Sequence, residues 1–204
     1  MNIQMLIIQK SDSIKLLVPY YNFFEKMYGK NFLAPFSKKT LSEGNTNSAR
    51  LKLLDSNYVR AVRAVNSAYD STNEKSPIML GAQAENGNIL AVCRVFVGIP
   101  QNELNAVISD VILLDESLTQ EERIDLYGAI IGKVETLVKD AFEKIEIVSF
   151  EVPLVDSEYF VAAEEMGYIL DDHEASGYFT CLFDKKIRNK GKMLILENKD
   201  ATIE

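Results

Sequence analysis

The stretch that decides the fold is residues 106–141, which read AVISDVILLDESLTQEERIDLYGAIIGKVETLVKDA. Residues 106–114 are apolar and rich in β-branched residues, broken only by Ser109 and Asp110, and this pattern predicts a strand. The remainder predicts a long helix with one apolar face, at steps of three and four: Ile124, Tyr127, Ile131, Val134, Val138 and Ala141. Another apolar run follows at residues 145–152, so the stretch predicts a β-α-β unit.

The segment before this unit predicts a first strand and two helices. Residues 2–9 are the strand, and Ser11 or Asp12 is expected to be the N-cap of the first helix. Pro19 lies inside that helical pattern, so we expect it to kink the helix or to move its start. Apolar residues at helical spacing over residues 49–69 predict the second helix.

A β-hairpin is the clearest local signal in the chain. The apolar runs at residues 78–84 and 89–99 are joined by the sequence ENGN. Asn86 and Gly87 are expected to supply the positive φ angles of a tight turn. After the β-α-β unit, the chain predicts a further helix and a last pair of strands, so the fold class is α/β.

The composition bounds the class of protein. The chain has 204 residues, enough for one domain, and no apolar run approaches the roughly 18 residues of a membrane-spanning helix. Its formal net charge of −8 argues against nucleic acid and anionic membranes as partners. The same charge permits a cationic partner, such as an amine.

The cysteines and the single histidine indicate the compartment and exclude one kind of site. Cys93 and Cys181 both lie in apolar, strand-like runs, which favours buried free thiols in a reducing cytoplasm. A disulfide or a catalytic thiol is the alternative. His173 is the only histidine, so we expect no metal site.

Three segments, in order, resemble the GNAT superfamily of acyl-CoA-dependent N-acyltransferases. GNILAVCRVFV (residues 87–97) resembles the family's third strand, VISDVILLDES (107–117) its fourth, and EYFVAAEEMGYIL (158–170) its last helix. The resemblance covers residues 76–184 and implies a mixed, mostly antiparallel sheet of about six to eight strands flanked by about four helices. We expect a single domain over residues 1–184, divergent up to residue 75, and a partly flexible C-terminal extension.

The resemblance also implies acetyl-CoA as the acyl donor. In the family the pantetheine arm pairs with the fourth strand, and the pyrophosphate lies on a loop of pattern [QR]-x-x-G-x-[GA] at a helix start. Arg123 and Gly128 match this pattern, whereas Leu126 replaces its first glycine. The implied cofactor-binding residues are Ile112, Leu113, Leu114, Arg123, Leu126, Tyr127, Gly128 and Asp156. Asp156 is equally a candidate N-cap.

The residues themselves offer a competing interpretation of the loop. Thr119 and Glu122 fit a capping box, which would begin the helix near Gln120 and place residues 123–128 inside it. Backbone amides inside a helix are bonded to carbonyls and cannot bind phosphate. Either the loop persists after a short insertion, or the cofactor site is lost.

The catalytic candidates follow from what amine acylation requires. In many family members the general acid is a Tyr four residues before the glycine of the last helix, where this chain has Ala163. Tyr159 lies one turn earlier and could serve as the acid, or it could pack as a core aromatic. Asp110 and Glu151 are the base candidates, since a carboxylate among apolar strand residues can have a raised pKa. Asp110 could instead face solvent or satisfy neighbouring backbone groups.

Two functions therefore compete. The first is an N-acetyltransferase acting on an unidentified small-molecule or peptide amine. The second is an inactive GNAT-like module that binds a small molecule or a protein partner. Dimers are frequent among similar proteins, so a homodimer is one option for the assembly.

Overall fold

The computed structural model describes residues 1–29, 56–70, 76–99, 102–171 and 180–188. One sheet has the strand order β1-β2-β3-β4-β5-β7-β6. The strands are β1 (Ile3–Ile7), β2 (Ile78–Ala84), β3 (Ile89–Ile99), β4 (Asn102–Leu113), β5 (Ile147–Pro153), β6 (Ile169–Leu170) and β7 (Thr180–Lys186). The helices are α1 (Lys10–Ser13), α2 (Leu17–Tyr28), α3 (Ser56–Ser67), α4 (Gln120–Ala141) and α5 (Ser157–Glu165).

The sheet is mixed and mostly antiparallel, which confirms the predicted fold class. Among the described strands, β4 and β5 form the only parallel pair. This pair is the β-α-β unit predicted from residues 106–141, with α4 as the crossover. The other pairs are antiparallel, and for β2–β3 the hairpin signal indicates this from the sequence.

Each face of the sheet carries its own apolar core. Helices α4 and α5 cover one face, where Ile131 packs with strand residues such as Val95 and Phe150. Helices α2 and α3 cover the other face, where Tyr20 packs with Val92. Successive residues of a strand point to opposite faces, so the continuous apolar runs of β3 and β4 supply both cores.

The first helical segment begins earlier than the sequence predicts. Gln9 is the N-cap of α1, so the expectation of a cap at Ser11 or Asp12 is wrong. A 3₁₀ turn (Ile14–Leu16) separates α1 from α2, and Pro19 lies in the first turn of α2. A helix start leaves the first N–H groups without partners, so a proline costs little there. The predicted effect of Pro19 on the helix start is confirmed.

The turn of the β2–β3 hairpin needs only one residue with positive φ. Gly87 has φ +87°, whereas Asn86 does not take a positive φ, which corrects the expectation for the pair. The Gly87 N–H donates to the Ala84 carbonyl at 2.9 Å, and the Asn86 side chain accepts from the Asn88 N–H at 3.0 Å. Asn86 therefore fixes the turn through its side chain.

Strands β4 and β5 part in the middle of the sheet. Their pairing runs from Asn105–Ile147 to Ile108–Phe150 and then stops, although both strands continue. Asp110 has φ +50°, and the β3–β4 register shifts beside it. Such a bulge bends a strand and increases its twist, so it turns β4 away from β5. The parting leaves one edge of β4 free beyond Ile108.

Several sequence predictions lie outside the described residues. These are the first turns of the helix predicted over residues 49–69, His173 with the rest of the turn before β7, and most of the C-terminal extension. Cys93 and Cys181 are free cysteines, the first buried and the second half-buried. No helix in the described ranges is long and apolar enough to cross a membrane.

The α4 face of the core is open to a direct test. Ile131 is fully buried, so Ile131→Ala should lower the free energy of unfolding by about 2–5 kcal/mol through lost burial and a residual cavity. Ile169→Ala is the matched control, because Ile169 is 75% exposed and its truncation should cost less than about 0.5 kcal/mol. Urea denaturation measures both, and equal losses would contradict the assignment of this core.

Candidate functional site

A cavity of about 500 Å³ lies along β4 where it separates from β5. Helix α2 forms one wall, and the first turns of α4 and α5 form the other. The lining residues are Val18, Pro19, Asn22, Phe23, Lys26, Val111, Ile112, Leu113, Leu114, Asp115, Glu116, Arg123, Tyr127, Asp156 and Glu158. The described lining thus comes from the end of β4 and the residues after it, from α2, and from the N-terminal parts of α4 and α5.

The wall of the cavity along β4 and α2 is apolar except for two side chains of α2, Asn22 and Lys26. Val18, Phe23 and Leu113 contribute aliphatic and aromatic surface. The side-chain oxygen of Asn22 is buried and has no hydrogen-bond partner among the described residues. A buried acceptor without a partner is costly, so Asn22 is suited to accept a hydrogen bond from a ligand N–H.

The rest of the cavity wall is charged. Four carboxylates line it: Asp115, Glu116, Asp156 and Glu158. Only two cationic side chains of the described residues join them, Lys26 and Arg123. With these groups ionised, the described part of the cavity has an excess of negative charge, which favours cations over anions.

Two backbone N–H groups at the start of α4 are bonded to side chains of the same segment. The Thr119 N–H donates to Glu122 Oε2 at 2.8 Å, and the Glu122 N–H donates to Thr119 Oγ1 at 3.3 Å. This is the capping box expected from the sequence, and α4 begins at Gln120. The amides of residues 123–128 are therefore inside the helix, and a separate phosphate-binding loop does not form there.

Arg123 is held in place by two local contacts. Its guanidinium pairs with Glu158 Oε1 at 2.7 Å and donates to the Leu118 carbonyl at 2.7 Å. Beside it, the Tyr127 hydroxyl donates to Asp156 Oδ2 at 2.7 Å, and Asp156 also accepts from the Tyr159 N–H at the start of α5. These contacts join α4 to α5 across the wall of the cavity.

The buried Asp110 and the half-buried Glu151 and Arg94 form a charged cluster where β4 and β5 begin to part. Arg94 forms an ion pair with Asp110, and Thr180 Oγ1 donates to Glu151 Oε1 at 2.9 Å. Burial raises the pKa of Asp110, although Arg94 opposes the shift. Burial and the nearby Asp110 charge raise the pKa of Glu151. The charge of Asp110 thus acts on the second predicted base, Glu151, while Arg94 forms its ion pair with Asp110.

Tyr159 lies away from the cavity, in the core. Its ring stacks on Tyr127 at a centroid distance of 4.5 Å and meets Phe150 edge-on. Its hydroxyl is buried and without a hydrogen-bond partner in the described part of the chain, and burial raises its pKa well above the usual value. The alternative of a core aromatic therefore describes its position.

Comparison with solved structures identifies the architecture. PaiA N-acetyltransferase from Thermoplasma acidophilum, in complex with coenzyme A, matches with a TM-score of 0.52 at 14% identity, over 91% of this chain and 99% of that chain. AAC(6')-Ib with ribostamycin and coenzyme A matches with a TM-score of 0.59 at 11% identity, over 92% and 94%. An acetyltransferase from Thermus thermophilus matches with a TM-score of 0.54 at 6% identity, over 92% and 98%. The chain has the GNAT fold. Neither the family models nor the curated proteins contain a match to its sequence.

The GNAT fold brings most of the predicted cofactor residues to one cavity. The residues that line it are Ile112, Leu113, Leu114, Arg123, Tyr127 and Asp156. Leu126 is fully buried in the core, and Gly128 is in the interior of α4, so neither is part of the described lining. The capping box explains both departures, since it sets the start of α4 before Arg123.

Nine of the lining residues were not predicted as site residues from the sequence, among them Asn22, Lys26 and Glu158. Asn22 and Lys26 are four residues apart, so they share one face of α2 with Val18. That spacing was available in the sequence, but nothing in it shows that this face meets a GNAT-fold cavity. No pattern in the sequence around Glu158 predicts that it lines a cavity or pairs with Arg123.

Gly128 tests whether this part of the chain is helix or phosphate loop. A Cβ at Gly128 would meet nothing within 4 Å, so Gly128→Ala should raise the free energy of unfolding by up to about 1 kcal/mol. Gly167→Ala is the control, because Gly167 has φ +78° and an alanine there is strained. If chemical denaturation showed Gly128→Ala to be destabilising, the helical assignment of residue 128 would be wrong.

The buried carboxylates predict a specific pH dependence of stability. A carboxylate with a raised pKa stabilises the fold while protonated, and this contribution is lost as the pH rises through the folded-state value. Glu151→Gln removes that loss, so the variant should gain stability relative to the wild type between about pH 4 and about pH 7. Denaturant titrations across this range, with the exposed Glu164→Gln as a charge control, measure the difference. An opposite trend would show that the fold stabilises the ionised form of Glu151.

Proposed function

We propose that the protein is an acyl-CoA-dependent N-acetyltransferase that acts on a small-molecule or peptide amine. The observation that carries the proposal is the free edge of β4 beyond Ile108, which borders a cavity of about 500 Å³. The GNAT-fold structures of PaiA and AAC(6')-Ib were obtained with coenzyme A, and the second also with ribostamycin. These neighbours support the proposal by analogy of fold.

The apolar wall of the cavity fits the pantetheine arm of the donor. Beyond Ile108, the β4 backbone groups on the β5 side have no strand partner and are available to the amides of a ligand. Asn22 adds an acceptor on the opposite wall, and Val18 and Leu113 supply apolar contacts. When bound, acetyl-CoA supplies a thioester whose acyl carbon accepts the amine.

The buried carboxylates provide the base. An amine in water carries an extra proton and is a cation. Two carboxylates near a single guanidinium favour the approach of this ammonium group. Glu151 or Asp110 then takes one proton of the ammonium group, which exposes the nitrogen lone pair. As the C–N bond forms and the C–S bond breaks, the second proton of the ammonium passes to the departing sulfur. We assign that transfer to water, because Tyr159 lies in the core.

A second function is favoured by one specific observation. The capping box at Thr119 and Glu122 occupies the helix start that the resemblance assigns to pyrophosphate. A GNAT-fold module without catalysis, binding a cationic small molecule in the acidic part of the cavity, fits that observation. The cytoplasmic location and the homodimer stay predictions.

Calorimetric titration with acetyl-CoA and coenzyme A separates the two functions. Val18→Trp should fill the cavity and weaken binding by at least about tenfold, since a new indole displaces the ligand. Val161→Trp is the matched control, because Val161 is 40% exposed on α5 and is outside the described lining. The absence of heat from well-folded wild-type protein would favour the second function.

Catalysis is tested with the same protein once an acceptor has been found by screening amines with a thiol-release assay. Glu151→Gln should lower kcat by about 10²–10⁴-fold, because it removes a base while keeping the shape of the side chain. Binding of coenzyme A should stay unchanged in this variant, since Glu151 is outside the described cavity lining. Full activity in Glu151→Gln would leave Asp110 as the candidate, to be tested by Asp110→Asn.

A further inference from the structure

We infer that the cavity selects its thioester donor through the pantetheine arm and gains no affinity from the nucleotide of coenzyme A. The donor class is thus a pantetheine thioester, with or without the nucleotide. This inference rests on the proposed function and deepens it, because it names the part of the donor that the protein recognises. It follows from a comparison of the apolar and charged walls of the same cavity.

The apolar wall matches a neutral chain that carries amides. Asn22 places an acceptor without a partner in the wall formed by α2. The edge of β4 between Ile108 and Leu113 places backbone groups opposite it. A pantetheine arm has two amide groups separated by methylene units, so its alternation of polar and apolar groups fits this wall.

The start of α4 does not fit a diphosphate. A phosphate binds at a helix start when N–H groups are free to point at it. Here Glu122 has its carboxylate on the Thr119 N–H and Oγ1 at 2.8 Å, and the Glu122 N–H donates to Thr119 in return. The carboxylate thus supplies negative charge at the position where the helix would favour an anionic ligand.

Each of the two cationic side chains in the described wall, Arg123 and Lys26, lies near a carboxylate. Arg123 contacts Glu158 at 2.7 Å, and Lys26 Nζ lies 4.0 Å from Asp156 Oδ2. To hold a diphosphate, Arg123 would have to leave both Glu158 and the Leu118 carbonyl. Asp115 and Glu116 add further negative charge to the same cavity. The phosphates of coenzyme A would therefore meet net repulsion from the described residues.

Calorimetry with three ligands tests the inference directly: pantetheine, dephospho-coenzyme A and coenzyme A. We expect the three dissociation constants to agree within about threefold, since only the shared arm is recognised. We also expect the affinity for coenzyme A to rise with salt, because salt screens repulsion between like charges. A site that binds phosphate would show the opposite salt dependence.

Two variants separate the charged wall from the rest of the cavity. Glu158→Gln removes the partner of Arg123, so it should raise the affinity for coenzyme A by about two- to fivefold and leave that for pantetheine unchanged. Glu164→Gln is the matched control, since it removes one charge from an exposed position of the same helix, outside the described lining. Asn22→Ala should weaken all three ligands equally.

The outcomes distinguish this inference from the function on which it rests. Coenzyme A binding about 100-fold more tightly than pantetheine, and more weakly at high salt, would overturn the inference and leave the acyltransferase proposal standing. If none of the three ligands bound to the folded protein, judged by an unchanged thermal melt, both the inference and the acyltransferase proposal would be overturned. Equal binding of all three ligands supports both.

Discussion

Strands β4 and β5 stop pairing after Ile108 and Phe150, and the candidate site depends on that break. Asp110 lies two residues beyond the last pair, with a positive φ and an ion pair to Arg94. A non-glycine residue in this backbone conformation costs free energy, which the surrounding packing must offset. Asp110 thus bends the strand and places a carboxylate where β4 and β5 stop pairing. Geometry and chemistry at the site are not independent.

The sequence predicted the fold well because its signals are local. Apolar periodicity placed the hairpin strands and β4 with α4, and the structure agrees with each. The capping-box pattern offered the helix start at Thr119 as one of two alternatives, and the structure has that one. The errors are also local in origin. Gln9 rather than Ser11 or Asp12 caps the first helix, and Gly87 alone takes a positive φ in the hairpin turn. Small shifts of this kind depend on competition between neighbouring caps and turns.

The site was only partly predictable, because its walls come from distant segments. Periodicity could not show that Asn22 and Lys26 of α2 face Glu158 of α5 across a cavity. Nor could it show that Arg94 pairs with Asp110, which needs the register of β3 against β4. Asp110 and Glu151 were found because a carboxylate inside an apolar run is unusual in sequence alone. A polar residue on an amphipathic helix carries no such signal.

The Glu122 carboxylate is a permanently attached anion at the start of α4. The carboxylate is tethered three residues from the cap, so its effective concentration at the helix start exceeds what a dissolved ligand reaches. The capping box therefore pairs the N–H groups of Thr119 and Glu122, and the helix needs no ligand to form there. Folding of this region is thereby uncoupled from the supply of donor. A lineage with such a cap could lose or exchange its ligand while keeping its architecture.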